Sequence, residues 1–78
     1  MAVAFVLINT EIGAESEVLA ALKEVHAVEE AYTVYGVYDI MVKVKAETLD
    51  KLKETITSHV RGLDKIRSTL TMIAVESK

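Results

Sequence analysis

Two short constellations in this chain carry side chains with chemistry of their own. The first is Gly36, Tyr38 and Asp39, set inside the apolar run "VYGVYDIMVKV" at 34–44. An acid there is costly unless something answers its charge. A glycine lets the backbone turn tightly, or lets a ligand or a neighbouring chain approach it closely. Two readings stand: a hairpin glycine with an aspartate bonded to nearby turn N–H groups, or a carboxylate offered to a partner outside the strand. The second constellation is Thr69 and Thr71. Their hydroxyls share one face of a strand, a place where β-branched residues also belong for their own reasons. His26 and His59 fall near predicted helix ends, where the helix dipole favours a cation. No His-x₃-His or comparable ligand spacing accompanies them, so neither a metal site nor a catalytic residue is assigned.

The elements that must hold these residues read strand, helix, strand, strand, helix, strand. Residues 3–9, "VAFVLIN", are a continuous apolar run of strand length. Gly13 opens a helix over "AESEVLAALKEVHA", with Glu15 and Glu17 in its first turn and Val18, Leu22 and Val25 as its apolar stripe. Residues 28–35 form a second strand, Gly36 provides the turn, and 38–45 alternate as a third. Thr48 is a helix N-cap, Leu49, Leu52, Ile56 and Val60 are the buried face behind it, and Gly62 is the residue just past its end. A last strand covers roughly 65–76.

The two halves repeat one strand–helix–strand unit. Interleaved, they give an α+β fold: a ferredoxin-like βαββαβ, with a four-stranded antiparallel sheet and two helices on one face. That layout leaves the other sheet face bare. Alternation sets Val3, Phe5 and Leu7 against Ala4, Val6 and Ile8, and Ile66, Leu70 and Met72 against Ile73 and Val75. Every strand is thus apolar on both sides. A standard interface of about 1,600 Å² would cover the bare face with a second copy, and at roughly 25 cal/mol per Å² the gross gain is tens of kcal/mol before association costs. A homodimer packed sheet on sheet, a dimeric α/β barrel, is the expected assembly.

Composition sets the outer limits. The chain has 78 residues, 51% hydrophobic, with no proline and no cysteine, so it reads as a single domain over 1–78. Disulfides, zinc–thiolate clusters and thiol nucleophiles are excluded. Nine Lys and Arg are scattered among twelve acids, a formal net charge of −3, with no basic run to neutralise phosphates. "VAFVLI" is too short to span a membrane and lacks the flanks of a signal peptide. A soluble, cytoplasmic protein contacting neither nucleic acid nor membrane is expected.

"VEEAYTVYGVYDIMVKV" followed by "LDKIRSTLTMIAV" resembles the effector-binding module of the Lrp/AsnC (feast/famine) regulators, the RAM module. The matching elements are Val28 opening strand two, then Gly36, Tyr38 and Asp39 as Gly-x-Tyr-Asp, then Ile66 before Thr69 and Thr71 as Thr-x-Thr. Relatives usually carry an N-terminal helix-turn-helix; this chain starts directly at strand one and is similar to the stand-alone form of the module. The resemblance implies dimers that associate into tetramers, octamers or rings, that bind small amino acids between dimers, and that exchange with full-length regulators. It implies a ligand site at Tyr35, Gly36, Val37, Tyr38, Asp39, Thr69 and Thr71, with no cofactor. A zwitterion needs an anion for its ammonium and N–H or O–H donors for its carboxylate; Asp39 meets the first need, and the two threonines with the N–H groups at Gly36–Tyr38 meet the second. Tyr35 departs from the pattern, because many relatives have a small hydroxyl residue there and a larger side chain would reshape the pocket.

The expected function is amino-acid sensing and oligomerisation, modulating transcription regulators without catalysis. The alternative is a small dimeric α/β-barrel enzyme of the cofactor-free monooxygenase type, which shares this topology. Against it, no nucleophile–base pair can be assembled from these residues.

Overall fold

A nearly unbroken apolar run becomes the middle of the sheet. The computed structural model describes residues 1–75. Strand β1 (Ala2–Thr10) is followed by helix α1 (Glu15–Lys23), β2 (Val28–Thr33), β3 (Ile40–Ala46), helix α2 (Leu49–Thr55) and β4 (Ile66–Ala74). All pairings are antiparallel and the strand order is β2-β3-β1-β4. This is the ferredoxin-like βαββαβ arrangement, with both helices on one face.

Ala4, Val6, Ile8 and Thr10 of β1 and Ile40, Val42 and Val44 of β3 point into the helix layer and are buried. Val18 and Leu22 of α1 meet them from above, with Leu52, Ile56 and Val60 from the second helical segment. Leu49, expected among these, is 45% exposed. It sits in the first turn, off the stripe formed by Leu52 and its neighbours at spacings of four. The Thr48 cap is present, its hydroxyl accepting from Lys51 N–H at 3.1 Å.

Three local features depart from the expected pattern. Helix α1 stops at Lys23 instead of running to Ala27, because Val28 must already be in β2; the chain turns through Val25 N–H to Leu22 O and Val28 N–H to Val25 O. His26 therefore lies in that turn, exposed, beyond the helix. Helix α2 continues as a π-helical turn, Ile56–Val60, with Arg61 N–H bonded to Ile56 O at 2.8 Å. Gly62 is not a left-handed cap; positive φ among glycines occurs at Gly13 and Gly36. It is needed for space, since a Cβ there would lie 2.7 Å from Ser58 O.

Two bulges decide which side chains share a face. In β4, Asn9 pairs with Ser68 and Thr10 with Ile66, so Arg67 is the extra residue. Ile66 consequently packs against the core, and the expectation that it shares a face with Leu70 and Met72 is corrected. In β2, Val28 pairs with Val44 and Glu30 with Lys43, leaving Glu29 extra. Consecutive Glu29 and Glu30 thereby both reach Lys43, at 3.0 and 4.0 Å. The expected end of the last strand at Glu76 lies outside the described residues.

The face away from the helices is apolar along β1 and β4. There Phe5 pairs with Met72, and Leu7 with Leu70 on one side and Met41 on the other. Leu70 and Met72 are 45% and 46% exposed, and no helix covers them.

Candidate functional site

The loop from Val34 to Asp39 joins β2 to β3, closed by Val34 N–H donating to Asp39 O at 2.9 Å. Asp39 N–H donates to Ile8 O at 3.0 Å, which ties the loop's end to β1. The regular ladder between β1 and β3 stops at Ile8 and Ile40. One turn of pleat further on, Thr10 N–H would lack a strand acceptor. The Asp39 Oδ2 supplies it, accepting from Thr10 N–H at 3.0 Å and from its hydroxyl at 3.4 Å. The lone acid in the apolar run is thus held by the buried end of β1 through Oδ2, and among the described residues its other oxygen accepts no hydrogen bond.

Ahead of Asp39 the loop is open. Gly36 has φ +153° with no atom near the position of a Cβ, so its glycine character serves backbone conformation, not close packing. Tyr35 and Val37 are 99% and 84% exposed, while Tyr38 is half-buried. Among the described residues, the N–H groups of residues 35–38 make no hydrogen bond to the protein. They are available donors beside an anchored carboxylate.

Val37 and Asp39 line a cleft of about 460 Å³ at this end of the sheet. Its other walls come from residues that sequence reasoning missed: Asn9 and Thr10 at the end of β1, Ile12 in the turn after it, Glu15 at the start of α1, and Arg67 and Ser68 from β4. Thr10 had a faint signal, a polar residue in the inward register of Ala4, Val6 and Ile8. Arg67 had none, because its place depends on the bulge.

Thr69 and Thr71 pair with Ile8 and Val6, so they lie on the helix side of β4. Thr71 lines a separate groove of about 240 Å³ with Lys53, Thr57 and Arg61. One protomer therefore brings Val37 and Asp39 together with Thr10 and Arg67, while Tyr35, Gly36, Tyr38, Thr69 and Thr71 are not among the residues lining that cleft. A cleft of about 520 Å³ at the opposite end of the sheet holds His26, Glu29, Lys45, Glu47 and Lys51 but none of the expected site residues. Its cations are already paired, Lys45 with Glu29 and Lys51 with Glu47, each at 3.4 Å. By contrast, among the described residues Asp39, Glu15 and Arg67 make no ion pair.

Comparison with known proteins places this geometry. Residues 3–78 match the family model described as the Lrp/AsnC ligand binding domain. The regulatory protein AsnC of Escherichia coli is 34% identical over 59 residues, which is 76% of this chain and 39% of AsnC. The chain thus spans about two-fifths of the length of the curated relatives it matches. Among solved structures, FFRP-DM1 is 45% identical with a TM-score of 0.92, over 96% of this chain and 100% of that one. A hypothetical protein from Pyrococcus horikoshii is 44% identical with a TM-score of 0.91, over 99% of this chain and 93% of that one. The fold, the Gly36–Asp39 loop and these likenesses lead to one statement: the chain belongs to the Lrp/AsnC ligand binding domain family, whose matched relatives include a regulatory protein.

Proposed function

We propose that residues 1–78 act as one RAM-type domain that senses a small amino acid and couples its binding to assembly. The observation that carries this is the loop at 35–38, whose unpartnered N–H groups stand beside the Asp39 carboxylate. Those donors suit a carboxylate and the open Asp39 oxygen suits an ammonium, which together describe a zwitterion. A homodimer formed through the face carrying Phe5, Leu7, Leu70 and Met72 removes the apolar surface that the helices leave bare. Dimers then associate further, and Tyr35, Gly36, Val37, Tyr38 and Asp39 of one meet Thr69 and Thr71 of another around the ligand. The separation of Val37 and Asp39 from Thr71 within one protomer supports that division. The output is modulation of full-length regulators in the cytoplasm, without catalysis, cofactor or contact to DNA. The scattered cations and net charge of −3 suit that role better than phosphate binding.

The mechanism is linkage. A ligand completed by two dimers favours the larger assembly by RT ln(1 + [L]/Kd), about 2.7 kcal/mol at a hundredfold excess over Kd. Native mass and melting temperature, measured with and without each of the twenty amino acids, test it. At least one is expected to raise both together; a panel that moves neither ends the sensing proposal. Leu70→Glu should give monomers whose melting temperature no longer depends on protein concentration.

A further inference from the structure

We propose that the groove between the second helical segment and β4 is a second binding site, taking a small phosphate-type dianion through Lys53 and Arg61. It lies apart from the Asp39 cleft and shares only Thr71 with the proposed amino-acid site. The helices pack over β1, β2 and β3, which leaves the last strand poorly roofed. Thr71 and Ile73 pair with Val6 and Ala4 and so face the helix layer, yet both stay exposed. The resulting groove of about 240 Å³ runs beside Lys53, Thr57 and Arg61. The π-helical turn is what sets those three side chains along one groove. On a regular α-helix, residues eight apart lie about 80° apart around the axis, which would swing Arg61 away from Lys53. The turn Ile56–Val60 instead closes from Arg61 N–H to Ile56 O, one residue wider than an α-helical turn. A wider turn advances less per residue, so Arg61 returns toward the side that carries Lys53 and Thr57.

Among the described residues no carboxylate lines this groove, unlike the clefts at either end of the sheet. Lys43, Lys45, Lys51 and Lys65 are held in ion pairs, whereas Lys53 and Arg61 make none among the described residues. Two like charges in one groove repel until a ligand answers both. A monocarboxylate answers one. A phosphate monoester carries about −1.5 to −2 at pH 7 and three acceptor oxygens. The Arg61 fork suits two of those oxygens, the Lys53 ammonium suits a third as a point charge, and the Thr57 and Thr71 hydroxyls add donors. Two cations are too few for a nucleic-acid backbone, which calls for a longer basic run. The volume lies below the roughly 300–1,000 Å³ of drug-sized sites, so it suits the free ion or a short ester. Ile73, apolar and 40% exposed, is the neighbour that the carbons of an ester would meet.

Calorimetric titration of the whole chain with inorganic phosphate, glycerol 3-phosphate and acetate, at constant ionic strength, tests the proposal. Both phosphates should bind more tightly than acetate. Lys53→Gln and Arg61→Gln should each weaken phosphate binding about 10- to 100-fold, the range for a hydrogen bond to a charged group. Arg61→Lys should keep part of the affinity. Lys23→Gln removes an exposed cation outside the groove and should leave the affinity unchanged. Circular dichroism and native mass check that the variants keep the fold and assembly. Tighter binding of the ester marks a phosphorylated metabolite as the ligand, and tighter binding of inorganic phosphate marks the free ion; both support the dianion site. The proposal is overturned if neither phosphate exceeds acetate, or if Lys53→Gln and Arg61→Gln bind phosphate as Lys23→Gln does. Neither result bears on amino-acid sensing, which the panel of twenty amino acids decides separately.

Discussion

Asp39 answers a structural need and offers a functional group with the same carboxylate. Its Oδ2 closes the end of β1 through Thr10, and the residue also lines a cleft. The two uses separate by substitution. Asp39→Asn keeps an acceptor for Thr10 N–H, so stability in urea should stay within about 1 kcal/mol while amino-acid binding weakens. Asp39→Ala strands the buried N–H of Thr10, which is 3% exposed, and should cost about 1.5–3 kcal/mol as well. Equal losses of binding without any difference in stability would assign Asp39 to the ligand alone.

At the scale of elements, small irregularities do most to place side chains. The bulge at Glu29 lets two consecutive acids meet Lys43, and the bulge at Arg67 exchanges the faces of Ile66 and its neighbour. The π-helical turn brings Gly62 against the carbonyl of Ser58. Gly62→Ala would force a Cβ within 2.7 Å of that oxygen, a backbone atom that cannot swing aside. Chemical denaturation should show a loss of about 1–3 kcal/mol, the usual cost of overpacking. An unchanged midpoint would mean that the turn relaxes to an ordinary α-helical one.

The whole molecule presents two unlike halves on its uncovered sheet face, apolar along β1 and β4 and charged along β2 and β3. Glu29, Glu30, Tyr32, Lys43 and Lys45 form a connected network in the charged half. The hydrogen bond from Lys43 holds the Glu29 carboxyl below its ordinary value of 4.5, and the same bond raises the Lys43 ammonium above 10.5. The bond that Tyr32 donates to Glu30 raises its phenol above 10.0. A lowered acid stabilises above its unfolded value and loses that contribution as pH falls through the folded one; a raised base or phenol does the reverse at high pH. The melting temperature of the unmodified protein should therefore exceed that of Lys43→Met by a constant margin from about pH 5 to 10. The margin should shrink below 4.5 and above 10.5. A margin that persists into acid would show that Lys43 acts through its aliphatic stem instead of its charge.

Element order, the alternation of β1 and β3, the Thr48 cap and the family were all legible in the sequence, because each follows from local periodicity or a short motif. Strand alternation put Ala4, Val6 and Ile8 in one set without saying which set meets the helices; the structure buries that set, together with Ile40, Val42 and Val44 of β3. Alternation failed at Ile66 and was silent on Arg67, since one extra residue in a strand reverses every face beyond it and leaves no mark in composition. What answers Asp39 was equally hidden. Thr10 is 29 positions away, and only the antiparallel pairing of β1 with β3 brings its N–H to that carboxylate.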